Sequence, residues 1–417
     1  MTQKSLRKND VVITAMGVVS PLGQTVDEFG RRMFAGESSV RSTRGKFCDD
    51  EFPVPYAAWV DREAIQPSEL NLEASTAPGS WLMCESVTKQ AVVDMSPDNT
   101  VDAIVFGIAD EKSFQTVTDV LENSFGPDYN YAALRSEAPV DVIAQYLELK
   151  GLNRVPPEDR ICLNSACATG NQAIGIAYQG IQSGRWTRCI VGGVDARCEF
   201  SKFLNFYALG AAASADVPPE TASRPFSKDR SGLVNGEGAA ALVMESREAA
   251  ELRGAEILAL VSGYGCTSDA FRLTHGREDG ASAIEAMKRA ISNAGLSTSD
   301  IDYISAHGTG TALNDRLETM EIKGVFGDYA YQIPVSSLKS QMGHSMIAAG
   351  VFDAVASVLM LRNQKVAPTI NYGENDPECD LDYVPNASRE ASVTRILSNS
   401  FGFGGENTCV VFSRADT

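Results

Sequence analysis

Short runs rich in β-branched residues alternate with longer amphipathic stretches from one end of the chain to the other. Of the helical stretches, 171–183 and 281–294 are the clearest. In the second, Ile284, Met287 and Ile291 recur at the spacing of one helical face, and Gly295 follows as a capping glycine. The strand candidates are residues 11–15, 103–106, 188–191, 239–244, 303–305 and 409–412. This alternation predicts an α/β protein with mainly parallel sheets covered by helices on both faces.

No low-complexity linker divides the 417 residues, a length that suggests two or three domain-sized units. The charged stretch 245–254 (ESREAAELRG), which follows an apolar strand candidate, is the best boundary. We therefore predict two parts, residues 1–254 and residues 255–417, each large enough to hold a hydrophobic core.

The chain carries 54 acidic against 36 basic side chains, a formal net charge of −18. Binding to nucleic acid needs clustered Lys and Arg, so this balance argues against such a partner. No run approaches the roughly 20 apolar residues of a membrane-spanning helix. The amino-terminal MTQKSLRKND lacks the apolar core of a signal peptide. We expect a cytoplasmic protein without a membrane partner.

The nine cysteines are scattered along the chain, and none forms a CxxC pair. This spacing indicates neither a disulfide framework nor a zinc site, so we predict no metal. Most of the nine should be small buried apolar side chains.

One cysteine lies in a segment suited to chemistry. Residues 164–170, NSACATG, place Cys167 between a possible strand end and a helix that starts near Gly170. Free N–H groups at a helix amino terminus favour the thiolate, and the flanking Ala166 and Ala168 leave room for a substrate. Cys167 is a candidate nucleophile, although the pattern alone fits a buried structural cysteine equally well.

The first of two candidate histidines is His307, in the segment 305–311 (SAHGTGT) after a strand candidate. The glycines leave the imidazole unobstructed, and the hydroxyls of Thr309 and Thr311 can bind a polar substrate arm. Taken alone, the segment slightly favours a turn with a hydrogen-bonded histidine.

The second is His344, five residues after Lys339 in the segment 336–350 (SSLKSQMGHSMIAAG). A nearby ammonium disfavours imidazolium, and a neutral imidazole can donate a hydrogen bond to a developing oxyanion. A surface lysine beside a helix-capping histidine is the alternative, and this segment alone favours it. The third histidine, His275, lies in a polar loop and is interpreted as structural.

The segment 399–407 (NSFGFGGEN) places three glycines around Phe403. Such a loop can offer backbone N–H groups to an oxyanion and can move as a gate. It fits a tight turn before the last strand equally well, and without a GKS or GKT ending it is not a phosphate-binding P-loop.

Taken together, these segments resemble the elongating β-ketoacyl-[acyl-carrier-protein] synthases of fatty-acid and polyketide systems. The matching segments run in order through nearly the whole chain: ITAMGVVSPLG from 13, NSACATG from 164, VGGVDA from 191, ASRPF from 222, GLVNGEGAAALVME from 232, GYGCTSDA from 263, SAHGTGTALND from 305, LKSQMGHSMIAAG from 338 and NSFGFGG from 399.

The resemblance implies a thiolase-like fold, with five α-β-α-β-α layers built from two pseudo-equivalent halves. It assigns Cys167 as the nucleophile that takes the acyl group. His307 and His344 then assist decarboxylation of a malonyl thioester, and Lys339 tunes them. The backbone N–H groups of Cys167 and Phe403 form the oxyanion hole, with Phe403 also the gate.

Further roles follow from the same resemblance. Substrate-binding residues are Thr309, Thr311, Thr274 and Phe401, and a supporting network consists of Asp315, Glu318 and Asp353. The expected partner is an acyl carrier protein that carries the acyl and malonyl thioesters, and no cofactor is needed. A homodimer, or a heterodimer with a related synthase subunit, is implied.

Several positions depart from the family pattern. Ser231 replaces an aspartate, Asp353 replaces a glutamate, and Glu406 stands where threonine is usual. They favour a specialised synthase of a polyene or aromatic polyketide pathway, with housekeeping fatty-acid elongation as the alternative. His344 argues against a thiolase and against an initiating synthase, and Cys167 argues against a silent chain-length partner subunit, although the protein could work with one.

Overall fold

The computed structural model describes residues 10–72, 77–109, 138–213 and 216–416. The interpretation of residues 1–9 as lacking a signal peptide therefore lies outside the described residues.

Ten strands of the described chain form one continuous sheet. They are β1 Val11–Val19, β2 Ala103–Ile108, β3 Arg160–Leu163, β4 Arg188–Asp195, β5 Gly238–Ser246, β6 Ala259–Ser268, β7 Tyr303–Ser305, β8 Val335–Ser336, β9 Arg395–Gly402 and β10 Glu406–Ser413. Their order across the sheet is β8-β7-β9-β10-β6-β1-β5-β4-β2-β3. All six strand candidates of the sequence fall within these elements.

The sheet repeats one pattern twice. In the first half the order β3-β2-β4-β5-β1 pairs β3, β2 and β4 in parallel and joins β5 and β1 antiparallel. In the second half the order is β8-β7-β9-β10-β6. Here β8, β7 and β9 pair in parallel, β10 and β6 are joined antiparallel, and the strands follow one another along the chain in the same order as in the first half. The antiparallel pairing of β1 with β6 connects the halves. The two pseudo-equivalent halves predicted from the resemblance are confirmed.

The expectation of mainly parallel sheets is wrong, because each half has an antiparallel side. In the second half the cause is visible in the chain. β9 and β10 are joined only by residues 403–405, and Gly402 pairs with Glu406. A parallel pair needs a crossover of a dozen or more residues. A connection of three residues can therefore only make an antiparallel hairpin.

The helices complete the layers. They are α1 Val26–Ala35, α2 Gly79–Ala91, α3 Ala138–Leu149, α4 Thr169–Gln182, α5 Phe200–Ala208, α6 Arg247–Leu252, α7 Ala281–Asn293, α8 Ala312–Phe326, α9 Lys339–Met342 and α10 Ala349–Asn363. α4 and α10 contact each other and strands of both halves. α2 and α3 contact each other and strands of the first half, and α7 packs on the second half with α8 beside it. This arrangement confirms the five layers α-β-α-β-α.

The middle layer explains the most apolar part of the chain. Residues Met346–Asn363 have a mean hydropathy of 1.4 and are long enough to cross a membrane, but 83% of this stretch is buried inside the protein. A helix covered by protein on all sides is apolar all round, so its composition follows from its place between the two halves.

The smaller elements frame the layers. Short strands lie at Arg41–Ser42, Tyr56–Ala58, Asn235–Gly236, Lys365–Val366 and Arg389–Glu390, and 3-10 turns at Arg62–Ala64, Pro157–Asp159, Pro219–Thr221, Thr298–Asp300, Gly327–Gln332 and Met346–Ala348. Gly295 has φ 70° directly after α7, as a capping glycine should.

The predicted boundary 245–254 covers the end of β5 and all of α6, and the second set of strands starts at Ala259. The division at residue 254 stays a prediction.

Candidate active site

Cys167 lies in the tight connection between β3 and α4, and only 6% of it is exposed. The preceding Ala166 has φ 49°, a left-handed conformation that is unfavourable for a residue with a Cβ. The thiol donates to the sulfur of Met346 at 3.7 Å. The backbone N–H of Phe403, across the pocket, hydrogen-bonds to the same Cys167 sulfur. The strained turn thus presents Sγ to a backbone donor from the β9–β10 hairpin.

Two histidines from the second half converge on this sulfur. His307 lies just beyond β7, and His344 just beyond α9. One ligand atom from each of Cys167, His307 and His344 lies within 4.8 Å of the other two. The two imidazole centroids are 5.3 Å apart with the rings at 81°. The nucleophile and the two histidines assigned by the resemblance therefore lie together at one place.

The hydrogen bonds of His344 fix its tautomer. Its Nδ1 lies 3.3 Å from the backbone nitrogen of Met346, whose N–H it accepts. A neutral ring that accepts at Nδ1 carries its proton on Nε2. That Nε2 is buried and has no partner among the described residues, so a hydrogen-bond donor faces the pocket unused.

Both imidazoles are held neutral. Burial, together with the charges of Lys339 and Lys202, sets the pKa of His344 well below its usual value. Burial and then Lys339 and His344 do the same to the pKa of His307. The effect of Lys339 expected from the sequence is therefore present, but desolvation is the larger cause for both rings.

The thiol departs from the sequence expectation. A helix amino terminus was expected to favour thiolate, yet burial raises the pKa of Cys167 to about 11, despite the opposing charges of Lys339 and Lys202 and the N–H of Phe403. Because desolvation penalises the charged form, the resting side chain is a thiol. Its activation needs a base, and two neutral imidazoles lie beside it.

Lys339 and Asp353 form an ion pair behind the site. Nζ of Lys339 lies 3.3 Å from Oδ2 of Asp353, and both residues are almost fully buried. Burial raises the pKa of Asp353, and the ammonium of Lys339 opposes that rise. Asp353 thus still reaches Lys339, although its side chain is shorter than the family's glutamate.

Asp315 and Glu318, on α8, hold the loop that carries His307. Glu318 accepts the backbone N–H groups of His307 and Gly308, each at 2.8 Å, and the amide of Asn399 at 3.3 Å. Burial nevertheless raises the pKa of Glu318 to about 7. Asp315 accepts the backbone N–H of Phe226 at 2.7 Å and that of Gly310, in the same loop as His307, at 3.2 Å. The pair fixes the backbone around His307 without entering the pocket.

The reactive side chains open into one pocket, with about 750 Å³ of empty space including its mouth. The sequence-predicted residues in its wall are Cys167, Thr274, His307, Thr309, Thr311, His344, Phe401 and Phe403. The hydroxyls of Thr309 and Thr311 hydrogen-bond to each other at 2.9 Å. His275, interpreted as structural, lies in the same wall and contacts the hydroxyl of Thr274 at 3.3 Å. Lys339, Asp315, Glu318 and Asp353 lie behind the wall.

The structure adds residues that the sequence analysis did not name. Met346, Phe206 and Glu321 line the pocket, and Lys202 forms a buried ion pair with Asp195 at 3.1 Å. Met346 lies within the His344 motif, two residues further on, and proximity in sequence could have indicated it. Phe206 and Lys202 lie on α5, whose sequence carries none of the motifs.

Cysteine and two histidines are also ligand types that metals use. Two features of this site oppose metal binding: Nε2 of His344 carries a proton, and the ammonium of Lys339 repels a cation. The absence of a metal stays a prediction.

Comparison with known proteins agrees with this geometry. Residues 142–250 match the N-terminal domain of β-ketoacyl synthases, and residues 258–373 match the C-terminal domain. The chain is 36% identical to the 3-oxoacyl-[acyl-carrier-protein] synthase 2 of Coxiella burnetii, with 98% of this chain and 99% of that protein covered. It is 33% identical to the protein of the same name from Synechocystis, with the same coverage.

Solved structures show the same fold. A ketosynthase in complex with its type II PKS acyl-carrier protein and bound to the hexaketide (AntDE:AntF) superposes with a TM-score of 0.87 at 30% identity, over 98% of this chain and 99% of that one. The ishigamide ketosynthase/chain length factor gives 0.85 at 32%, over 97% and 99%. A β-ketoacyl synthase from Burkholderia phymatum gives 0.85 at 30%, with the same coverage. The thiolase-like fold is thereby confirmed, and the chain belongs to the β-ketoacyl-[acyl-carrier-protein] synthases, a family of acyltransferases.

Proposed function

We propose that the protein joins a malonyl unit, with loss of CO₂, to an acyl group held on Cys167. The observation that carries this proposal is the meeting of the Cys167 sulfur with His307 and His344 within 4.8 Å at the inner end of one pocket. A soft nucleophile and two neutral imidazoles are what thioester exchange and enolate formation need.

The first step transfers the acyl group. The Cys167 sulfur attacks the thioester carbonyl, its proton passes to an imidazole, and the carrier thiolate leaves and takes that proton. His307 is the base, because the ring of His344 already carries its proton on the nitrogen that faces the pocket. The N–H of Phe403, which bonds to Sγ, lies where the oxyanion forms, and the N–H of Cys167 is its partner donor.

The second step forms the carbon nucleophile. The malonyl C–C bond breaks, CO₂ leaves, and the electron pair moves onto the thioester oxygen as an enolate. Nε2–H of His344 donates to that oxygen, with His307 as its neighbour, while Lys339 keeps both rings neutral. The enolate carbon then attacks the acyl-enzyme carbonyl, and the Cys167 sulfur leaves as a thiolate that takes up one proton from water.

The substrates arrive on an acyl carrier protein. The pantetheine arm passes Thr274 at the mouth and Thr309, Thr311 and Phe401 deeper in the wall, where hydroxyls can meet its amides. We further propose that the protein acts in the cytoplasm, without a cofactor, as a homodimer or as a heterodimer with a related subunit. A ketosynthase/chain length factor pair among the similar structures supports the second assembly.

We place the protein in a specialised polyene or aromatic polyketide pathway. One similar structure is the ketosynthase of a type II PKS and another is a ketosynthase/chain length factor, and the unusual Ser231 has a buried hydroxyl with no partner in the described chain. The alternative is housekeeping fatty-acid elongation, which the 36% identity to a 3-oxoacyl-[acyl-carrier-protein] synthase 2 supports.

The test is intact-protein mass spectrometry after incubation with saturated and polyunsaturated acyl carrier proteins, followed by peptide mapping and by malonyl addition. An acyl adduct on Cys167 that disappears when malonyl carrier is added supports the chemistry. An adduct elsewhere contradicts the assignment of the nucleophile. A strong preference for saturated chains favours fatty-acid elongation over the specialised pathway.

A further inference from the structure

Three acidic side chains point inward from α8, and they differ in whether they have hydrogen-bond partners. Asp315 and Glu318 each accept two backbone N–H groups. Glu321, one turn further on, is only 5% exposed but makes no hydrogen bond or ion pair with any residue the structure describes. Burying a polar group without a partner costs free energy, so the fold gains nothing from this carboxyl.

Glu321 belongs to the pocket wall. Leu313, Leu317 and Glu321 are spaced four residues apart, lie on one face of α8 and all line the pocket. Eight residues of helix span about 12 Å. Over that distance the pocket wall changes from two leucine side chains to the carboxyl of Glu321. Asp269 and Asn407 line the same end, where the Asn407 amide donates to Asp269 at 2.9 Å.

The backbone keeps Glu321 in this position. Gly280 lies against it, where an added Cβ would come within 2.6 Å of Cγ and 3.1 Å of Oε1 of Glu321. Burial, and then the charges of Glu318 and Asp269, raises its pKa well above the usual value. The surroundings therefore favour the neutral carboxylic acid, which has an O–H to donate, and its neighbours are satisfied elsewhere.

We propose that Glu321 is a substrate-recognition residue whose carboxyl donates a hydrogen bond to a carbonyl or hydroxyl oxygen of the thioester substrate. The oxygen comes either from the acyl chain or from an amide of the pantetheine arm. This inference rests on the proposed function, since it takes the pocket to be the thioester site.

The experiment compares Glu321→Leu and Glu321→Gln with the wild type. Each is given saturated and 3-hydroxyacyl carrier proteins of equal chain length, and the matching N-acetylcysteamine thioesters, which lack most of the arm. Acylation of Cys167 by the wild type is measured first, because its absence would refute the proposed function before Glu321 is tested.

Glu321→Leu should lower kcat/KM for acylation about five-fold, the loss expected for one neutral hydrogen bond. A loss confined to hydroxylated chains identifies the acyl oxygen as the partner. A loss with both carrier substrates that vanishes with the truncated thioesters identifies the arm. Glu321→Gln, which keeps a donor, should stay within two-fold of the wild type.

Stability separates recognition from a structural role. Removing an unpartnered buried carboxyl should raise the Tm of Glu321→Leu. The proposal is overturned by unchanged kinetics on every substrate, or by an equal loss on all of them together with a lowered Tm. Should the leucine variant not fold, Glu321→Ala is measured in the same way.

Discussion

Replacing His344 with alanine should separate the two half-reactions. In the proposed mechanism, acylation of Cys167 uses His307 and the Phe403 N–H, whereas enolate stabilisation uses Nε2–H of His344, a buried donor with no partner in the described chain. The substitution should therefore slow decarboxylation of malonyl carrier protein far more than it slows acylation.

The size of the loss follows from what that donor does. One preorganised oxyanion donor is worth about 3 kcal/mol, which corresponds to about 10²-fold in rate. His344→Ala also leaves the N–H of Met346 without its 3.3 Å acceptor, so Tm should fall slightly. His344→Gln keeps an N–H group and should lose less.

Two assays measure the two half-reactions independently. CO₂ release from malonyl carrier protein is followed in a Cys167→Gln background, which blocks acylation, with and without His344→Ala. Acylation is followed by intact mass in proteins that retain Cys167. Equal losses in both assays would refute the assignment of His344 as the enolate donor, as would full decarboxylation activity in His344→Ala.

Further predictions concern the buried charges and the thiol. Because the pKa of Glu318 is raised to about 7 from 4.5, the unfolded state loses its proton first as pH rises, so this group costs stability progressively between pH 4.5 and 7. Over that range the free energy of unfolding, measured with urea, should fall by about 3 kcal/mol more for the wild type than for Glu318→Gln. The same pH dependence in both proteins would contradict this. Asp353→Ala leaves the Lys339 ammonium buried and unpaired and should cost about 3–5 kcal/mol, whereas Lys339→Met with Asp353→Leu should cost much less; equal costs would argue against the ion pair. Lys339→Met should also shift the acid limb of decarboxylation to higher pH, since a charge that lowers the pKa of both imidazoles is gone, and an unmoved limb would contradict that. Iodoacetamide should label Cys167 at a rate that rises towards pH 11, because the thiolate is the reactive form. A rate already constant at pH 7 would show a resting thiolate, and Cys167→Gln should abolish condensation but leave decarboxylation.

Much of the secondary structure could be predicted from the local sequence. All six strand candidates lie in observed strands, and α7 begins and ends within one residue of its predicted bounds with Gly295 as its cap. These features depend on local periodicity and glycine conformation, which neighbours in the chain determine. The joint pattern of motifs likewise predicted the family, since each motif surrounds a side chain with the small residues its turn requires.

Other features depend on groups that are distant in sequence. The direction of β10 follows from a three-residue turn, and no strand pattern encodes which neighbour a strand will pair with. The charge state of Cys167 was predicted in the wrong direction, because a local helix terminus is visible in the sequence whereas the depth of burial is not. Lys202 and Glu321 belong to no motif, and only the packing of α5 and α8 brings the charge of Lys202 near His344 and places Glu321 in the pocket wall.

Local sequence thus determined which segments become strands, helices and glycine turns, and which side chains are chemically able to react. Tertiary structure decided that a sulfur from the first half and two imidazoles from the second meet within 4.8 Å, and that all three are uncharged. The physical reason is that desolvation and long-range contacts depend on how the two halves pack on α4 and α10, a property of the whole fold.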